Sequence, residues 1–445
     1  MNSRKMEPWL KISCLLCVFG FIREIRPSEP YITEYLVGEW RNVTQEQVNR
    51  EVYPVGTYSY LAQLVIVFLV TDFLRYKPLI IIMGIAGVII WSMLLWTTSL
   101  LALQILEVFY GTYMAAEVAY FTYIYAKVDK KHYPQVTSHT RAAMFCGKLV
   151  ASVVAQTVLN LGLMNYKDLN YITLATQICA TVWAFGLPKV KTSIYFHRKP
   201  SLSVSIASNS HQHQGSKTVS ETSVNNTLSQ PAQLPPLQLL WSHFKNAYTN
   251  VKVVQWSIWY AVGVCGYFQV ISYIQVLWIS IEEQPETVWN GAVDAILTLL
   301  AAIFALIAGF IHGARLNSRM SLLALAVLSI MEGGAVLLSC WTTNIFWSYT
   351  GYVIFGALYG FTITVSGAEV ARYLEEESYG LVFGINTMVA LLLQSILTFV
   401  VVSETGFGLS VVGQYTVYSF YFITIGVVYF LSVVIEYFIN RPKTM

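Results

Sequence analysis

Between Pro78 and Ala126 the chain carries two charged side chains, Glu107 and Glu117, inside apolar sequence long enough to cross a membrane. A charged side chain at the centre of a bilayer costs about 2.5–3.5 kcal/mol even on the gentlest insertion scale. Such groups face a bundle interior or a water-filled path, and they mark where something polar passes. Glu107, Tyr110, Met114 and Glu117 recur at spacings of three, four and three, which places them on one stripe of a helix. At 1.5 Å rise per residue the two acids stand roughly 15 Å apart along the axis, too far to grip one small molecule at the same point. One therefore binds substrate while the other is a proton site or a structural partner, or the two are successive stations of a path.

Other charges fall inside apolar segments. Arg23, Glu24, Arg26 and Glu29 close the first one, where Pro27 and Pro30 kink or end the helix. Two readings are open there: a salt-bridged helix end at the outer surface, or a broken helix that delivers charge to a cavity. Lys148, between Gly147 and Leu149, is a base that could pair with Glu107 or Glu117, or contact an anionic substrate. Asp294, Glu332 and Glu369 add one acid each to later spans, so acids outnumber bases at depth. That balance favours a cationic substrate or proton coupling. Tyr58, Tyr60, Tyr110, Tyr113, Tyr120, Tyr123, Trp259, Tyr260 and Tyr267 offer faces on which a cation could stack; interfacial aromatic belts are the alternative use of such residues. Asp72 and Arg75 end the second span, either as a breakable gating pair or as part of a snorkelling basic cluster.

The elements that must hold these groups are membrane helices. The chain has 445 residues, 56% hydrophobic and 11% charged, with a mean hydropathy of +0.55. A soluble protein is about 25% charged, so the composition is that of a polytopic membrane protein. A net charge of +3 implies no nucleic-acid partner. Windows of about 19 residues predict about twelve spans, at 8–30, 53–74, 78–99, 102–126, 140–163, 170–187, 253–279, 288–312, 320–341, 346–371, 380–402 and 412–438. Between the halves, Ser201 to Gln233 is rich in Ser, Asn, Gln, Thr and His and poor in large apolar residues, which predicts disorder. His211 and His213 lie there as solvated linker residues.

Lysine and arginine set the orientation. In a twelve-span arrangement Arg4, Lys5, Arg75, Lys77, Lys127, Lys130, Lys131, Lys189, Lys191, Arg198, Lys199, Arg315, Arg319, Arg372, Arg441 and Lys443 share one side, against Arg41, Arg50 and Lys167 on the other. Both termini and the linker are then cytoplasmic. The sequon Asn42-Val43-Thr44 falls in the first outward loop, where glycosylation occurs. The sequon at Asn225 falls in the cytoplasmic linker and is expected to go unused. The six cysteines are scattered through apolar stretches, Cys14 and Cys17 included, and read as small packed residues. No cofactor, no metal site and no enzyme activity are expected, because no His/Asp/Glu set or serine–histidine pair shares one depth.

The expected architecture is all-α. A six-helix bundle (1–190) is followed by a cytoplasmic, largely disordered linker (191–250) and a second six-helix bundle (251–445). That is the layout of the major facilitator fold, with substrate bound at mid-depth between halves that alternate in access.

Six sequence pieces carry a closer likeness: Arg26-Pro27-Ser28-Glu29-Pro30, Thr57-Tyr58-Ser59-Tyr60-Leu61, Thr71-Asp72 with Arg75-Tyr76-Lys77-Pro78, Ala115-Ala116-Glu117-Val118-Ala119-Tyr120, Asn290-Gly291-Ala292-Val293, and Val382-Phe383-Gly384-Ile385-Asn386-Thr387. Together they resemble the animal thiamine transporter and reduced folate carrier family, solute carriers of the plasma membrane. The likeness leans to the thiamine branch. Folate carriers place basic residues at the positions of Glu117, Gly356 and Gln394, and none of these is basic here. Two folate carboxylates buried without partners would be prohibitive, whereas a thiazolium cation and an aminopyrimidine suit a carboxylate and tyrosines. The resemblance implies Glu107 as acceptor of the aminopyrimidine hydrogen bonds, Tyr110 beside it, and Glu29, Asn290 and Tyr418 lining the rest. Met114, Glu117 and Lys148 complete the candidate set. Against vertebrate thiamine carriers, Gly56 replaces a tryptophan, Lys148 a tyrosine and Phe268 an asparagine, an altered site open to another vitamin or a broader range. The alternatives are a reduced folate carrier that recruits Lys148 and Arg23, and a transport-inactive receptor or scaffold. The expected partners are the vitamin, the lipid bilayer, and a coupled proton or organic anion.

Overall fold

The computed structural model describes residues 7–190, 196, 235–282, 287–313, 318–374 and 378–439. The first half runs Pro8–Glu24 (α1), Ile32–Val37 (α2), a single turn at Gln45–Gln47 (α3), Tyr53–Phe73 (α4), Lys77–Trp96 (α5), Leu100–Lys127 (α6), Tyr133–Asn160 (α7) and Tyr166–Phe185 (α8). The second half runs Pro236–Thr249 (α9), Val251–Ile281 (α10), Asn290–Gly313 (α11), Ser318–Cys340 (α12), Ile345–Arg372 (α13), Tyr379–Val401 (α14) and Val411–Ile439 (α15). Leaving out the short α2, α3 and α9, six long helices lie on either side of residues 191–234.

Among the described residues, nine of these helices are long and apolar enough to cross a membrane by length and composition. The other three, α1, α6 and α8, are shorter or more polar. Helix α1 has 17 residues, α6 carries both Glu107 and Glu117, and α8 opens on Lys167 and Asp168. Apolar side chains are displayed outward, as on Leu101, Leu306 and Phe310, while Arg23, Glu24, Gln177, Glu332 and Glu369 are buried. This inside-out distribution suits a lipid surround, where helices associate through close packing and polar contacts.

Small residues let the backbones approach. Gly147 of α7 lies against the Phe21 carbonyl of α1, and Gly360 of α13 against the Ala301 backbone of α11. One core is built on Leu16, Phe19, Ile80, Met83, Tyr113 and Tyr120. Others gather Tyr273, Phe355, Tyr415 and Phe422, and Trp256, Trp259, Val365 and Val382.

Two elements refine the limits read from the sequence, the first in line with the broken-helix reading. The first span does not run unbroken to residue 30: α1 ends at Glu24, a 3-10 turn forms at Glu29–Tyr31, and α2 begins at Ile32. Pro27 and Pro30 lack the N–H groups that would continue the ladder, so the chain breaks there. The last part of the 191–250 segment is helical: Pro236 starts α9, and Leu239, His243 and Ala247 form its buried stripe. Their spacing of four is helical, and Tyr248 ties α9 to α14 by donating to Asn386 Oδ1 at 2.8 Å. Ser201 to Gln233, with His211, His213 and Asn225, lies outside the described residues.

Candidate functional site

The break after α1 presents a run of charges to the interior. Arg26 donates to Glu24 at 2.6 Å and also pairs with Glu29. Arg23 is fully enclosed. It reaches Glu117 of α6 at 2.9 Å, donates through Nε to the Tyr113 hydroxyl at 3.0 Å, and lies 3.5 Å from Glu24. Two bases, Arg23 and Arg26, and three acids, Glu24, Glu29 and Glu117, thus pair around the break, which is what buried charges require.

Beside this cluster is a cavity of about 300 Å3, at the lower end of the ~300–1,000 Å3 range of small-molecule sites. Glu29, Gly56, Tyr60, Glu107, Tyr110 and Met114 line it from the first half. Tyr267, Phe268, Trp278, Asn290, Asp294 and Tyr352 line it from the second. Lys148 projects into it from α7 and pairs with Asp294 of α11 at 3.0 Å. Ser152 donates to the other Asp294 oxygen at 2.7 Å.

Glu107 stands apart electrostatically. Among the described residues it has no hydrogen bond and no ion pair, and its carboxylate lies against the backbone of α4 at Gly56. The cavity therefore offers one unpaired carboxylate among tyrosines. Its lysine is already bound to an aspartate. A cation, or a donor-rich aromatic amine, fits that balance better than a dianion does.

Of the candidates marked in the sequence, Glu29, Glu107, Tyr110, Met114, Lys148 and Asn290 meet at the cavity. Glu117 does not line it, being held by Arg23. Tyr418 is buried in the α10–α15 core instead. Lys148 pairs with neither Glu107 nor Glu117, because Asp294 reaches it across the two halves. Asp72 accepts from the Tyr76 hydroxyl at 2.6 Å and from the Phe196 backbone N–H at 2.8 Å. Arg75 is exposed with φ +61° in the α4–α5 turn. Asn42 is exposed, also at positive φ, just before the Thr44 cap of α3.

Glutamine contacts between the halves went unmarked in the sequence. Gln275 accepts from Thr33 N at 3.0 Å and donates to the Glu29 carbonyl at 2.8 Å. Gln156 accepts from the Tyr31 hydroxyl at 2.7 Å and from Ala292 N at 2.9 Å. Tyr31 in turn accepts from Gly291 N at 3.1 Å. A lone glutamine in an apolar helix was the available signal, since an amide at that depth needs a partner.

A family model described as "Reduced folate carrier" matches residues 7–417. Human thiamine transporter 1 is 37% identical over 96% of this chain and 90% of its own length. The human reduced folate transporter is 34% identical over 97% of this chain and 73% of its own length. Among solved structures, the POT family transporter PepTSo aligns with TM-score 0.66 at 11% identity, over 98% of this chain and 99% of that one. The nucleoside transporter NupG aligns at 0.60 and 14% identity, over 94% and 98%. These structural likenesses identify the major facilitator fold. The sequence matches, over nearly the whole chain, identify the family: the chain belongs to the reduced folate carrier family, whose relatives here are transporters rather than enzymes.

Proposed function

We propose that this protein carries thiamine, or a closely related cationic aminopyrimidine, across the plasma membrane by alternating access. The single observation that carries the reading is Glu107, an unpaired carboxylate in an aromatic-lined cavity where the one lysine is already neutralised by Asp294. Glu107 accepts hydrogen bonds from the aminopyrimidine, Tyr110 and Tyr60 flank the ring system, and Glu29 and Asn290 bound the other end. Residues 1–190 and 251–445 are the two moving halves, 191–250 the cytoplasmic tether, and both termini are cytoplasmic. Asp72 and Arg75 belong to the cytoplasmic gate, Asn42 carries glycan outside, and transport is coupled to a proton or an organic anion. The names of the human thiamine relatives support the substrate class.

A folate reading keeps one observation in its favour, since Lys148 reaches the cavity and an anionic substrate could displace Asp294 from it. Arg23, the second base that reading needs, is committed to Glu117 and Tyr113. The deciding experiment is uptake of labelled thiamine and labelled reduced folate in cells expressing the chain, each competed by the other. Saturable thiamine uptake that folate does not inhibit supports the proposal. Saturable folate uptake indifferent to thiamine overturns it.

A further inference from the structure

Glu332 sits in the middle of α12, remote from the cavity lining and with no accessible surface. Its Oε1 is 2.7 Å from the Thr362 hydroxyl of α13. Among the described residues its Oε2 has no hydrogen-bond partner. Among the described residues no lysine, arginine or histidine approaches it. Neighbouring elements present little else that titrates. Tyr359 on α13 is the ionisable group in electrostatic reach. On α15 the atoms nearest the adjacent Gly333 belong to the Ser419 backbone and Ile423, and the acid two turns beyond Thr362, Glu369, is engaged with Ser321 and Arg372.

An ionised carboxylate with one oxygen bare, no base beside it and no accessible surface is the costly case inside a membrane. The geometry suits the neutral acid. With the proton on Oε1, Glu332 donates to Thr362 Oγ1, whose own hydrogen points to the Tyr359 carbonyl at 3.1 Å. The bare Oε2 is then an uncharged carbonyl oxygen, far cheaper to leave unpaired. An aromatic path leads back to the cavity: Tyr359 stacks on Tyr267 at 4.0 Å with planes 5° apart, and Tyr267 lines the cavity.

We propose that Glu332 is the proton-binding site that couples transport to a proton gradient. The inference rests on the carrier reading but not on which vitamin is carried. In the arrangement described here the Glu332 O–H bond is intact. When α12 and α13 part enough to admit water, that bond breaks, the proton leaves to water on the open side, and the carboxylate is reprotonated before it is buried again. Tyr359 and Tyr267, wedged between the acid and the cavity, link its hydration to the packing around substrate.

The test uses the full chain in liposomes. Infrared difference spectra across a pH titration should show a protonated-carboxyl C=O band that is absent in Glu332→Gln and shifted in Thr362→Val. In transport, Glu332→Gln mimics the protonated acid. It should exchange labelled for unlabelled thiamine at the wild-type rate, yet lose the accumulation that an imposed pH gradient drives, about tenfold per pH unit for one coupled proton. Thr362→Val should lower that accumulation in part, and it serves as the test if Glu332→Gln fails to fold. Gradient-driven accumulation that persists in Glu332→Gln, or in a folded Thr362→Val at the wild-type level, overturns the proposal, as does the absence of a carboxyl band that Glu332→Gln removes. If the wild type exchanges no thiamine, the substrate reading fails alone, because the infrared measurement needs no substrate.

Discussion

Gly56 of α4 stands so close to the Glu107 carboxylate of α6 that a Cβ on residue 56 would collide with Oε2. The cavity's unpaired acid therefore keeps its position because the facing helix has no side chain there. Gly56→Ala should push the flexible end of Glu107 aside at little cost to the fold, since alanine is favoured over glycine in a helix by roughly 0.5–1 kcal/mol. Normal expression and thermal stability with thiamine affinity weakened about tenfold are the expected outcome, the loss of a charge-assisted hydrogen bond being worth about 1.5–3 kcal/mol. Unchanged affinity in a transport assay would separate Gly56 from the positioning of Glu107.

Glu107→Gln tests the acid itself. It keeps the shape and removes the charge, so surface expression should be intact while thiamine uptake falls by about tenfold to a hundredfold. Uptake at the wild-type level would remove Glu107 from the binding site.

The pair between Lys148 on α7 and Asp294 on α11 joins the two halves at the cavity wall. Lys148→Met and Asp294→Asn should each slow turnover, and the double variant should recover much of the loss. The coupling free energy belongs at the lower end of about 0.5–3 kcal/mol, because Lys148 is only half-buried and partly screened. Purely additive losses in the double-mutant cycle would mean that the pair does not act as a unit during transport.

Arg23 holds Glu117 and Glu24 together in the buried cluster behind the cavity. Arg23→Gln leaves carboxylates without their partner, a change that costs about 3–5 kcal/mol for buried pairs. Protein level and melting temperature in detergent should fall sharply, unlike the outcome for Glu107→Gln. Combining it with Glu117→Gln should restore part of the stability.

Much of the architecture was legible in residue order. The long helices α10 and α13 lie within two residues of the expected spans at both ends, because a membrane helix is dictated by length and hydropathy. The break after α1 was written in Pro27 and Pro30. Helix α9 was hidden by its setting after a polar, proline-marked stretch, although its buried residues repeat every fourth position. At the site, helical spacing alone separated Glu107 from Glu117 by depth, and the structure gives them different surroundings.

What the sequence determined by itself was that charges and aromatics lie inside a helical membrane protein, and which of them share a stripe of one helix. That follows from period and composition, properties of a single segment. Partner choice was decided only by the tertiary structure. The sequence offered Lys148 two acids, Glu107 and Glu117, and the approach of α11 to α7 gave it Asp294 instead. Arg23 took Glu117 because the end of α1 lies within its side chain's reach of α6 there. Among the described residues Glu107 was left unpaired, because Lys148 and Arg23 were engaged elsewhere and a glycine faced it. Pairing depends on distances between helices far apart in the chain, and no local pattern encodes those distances.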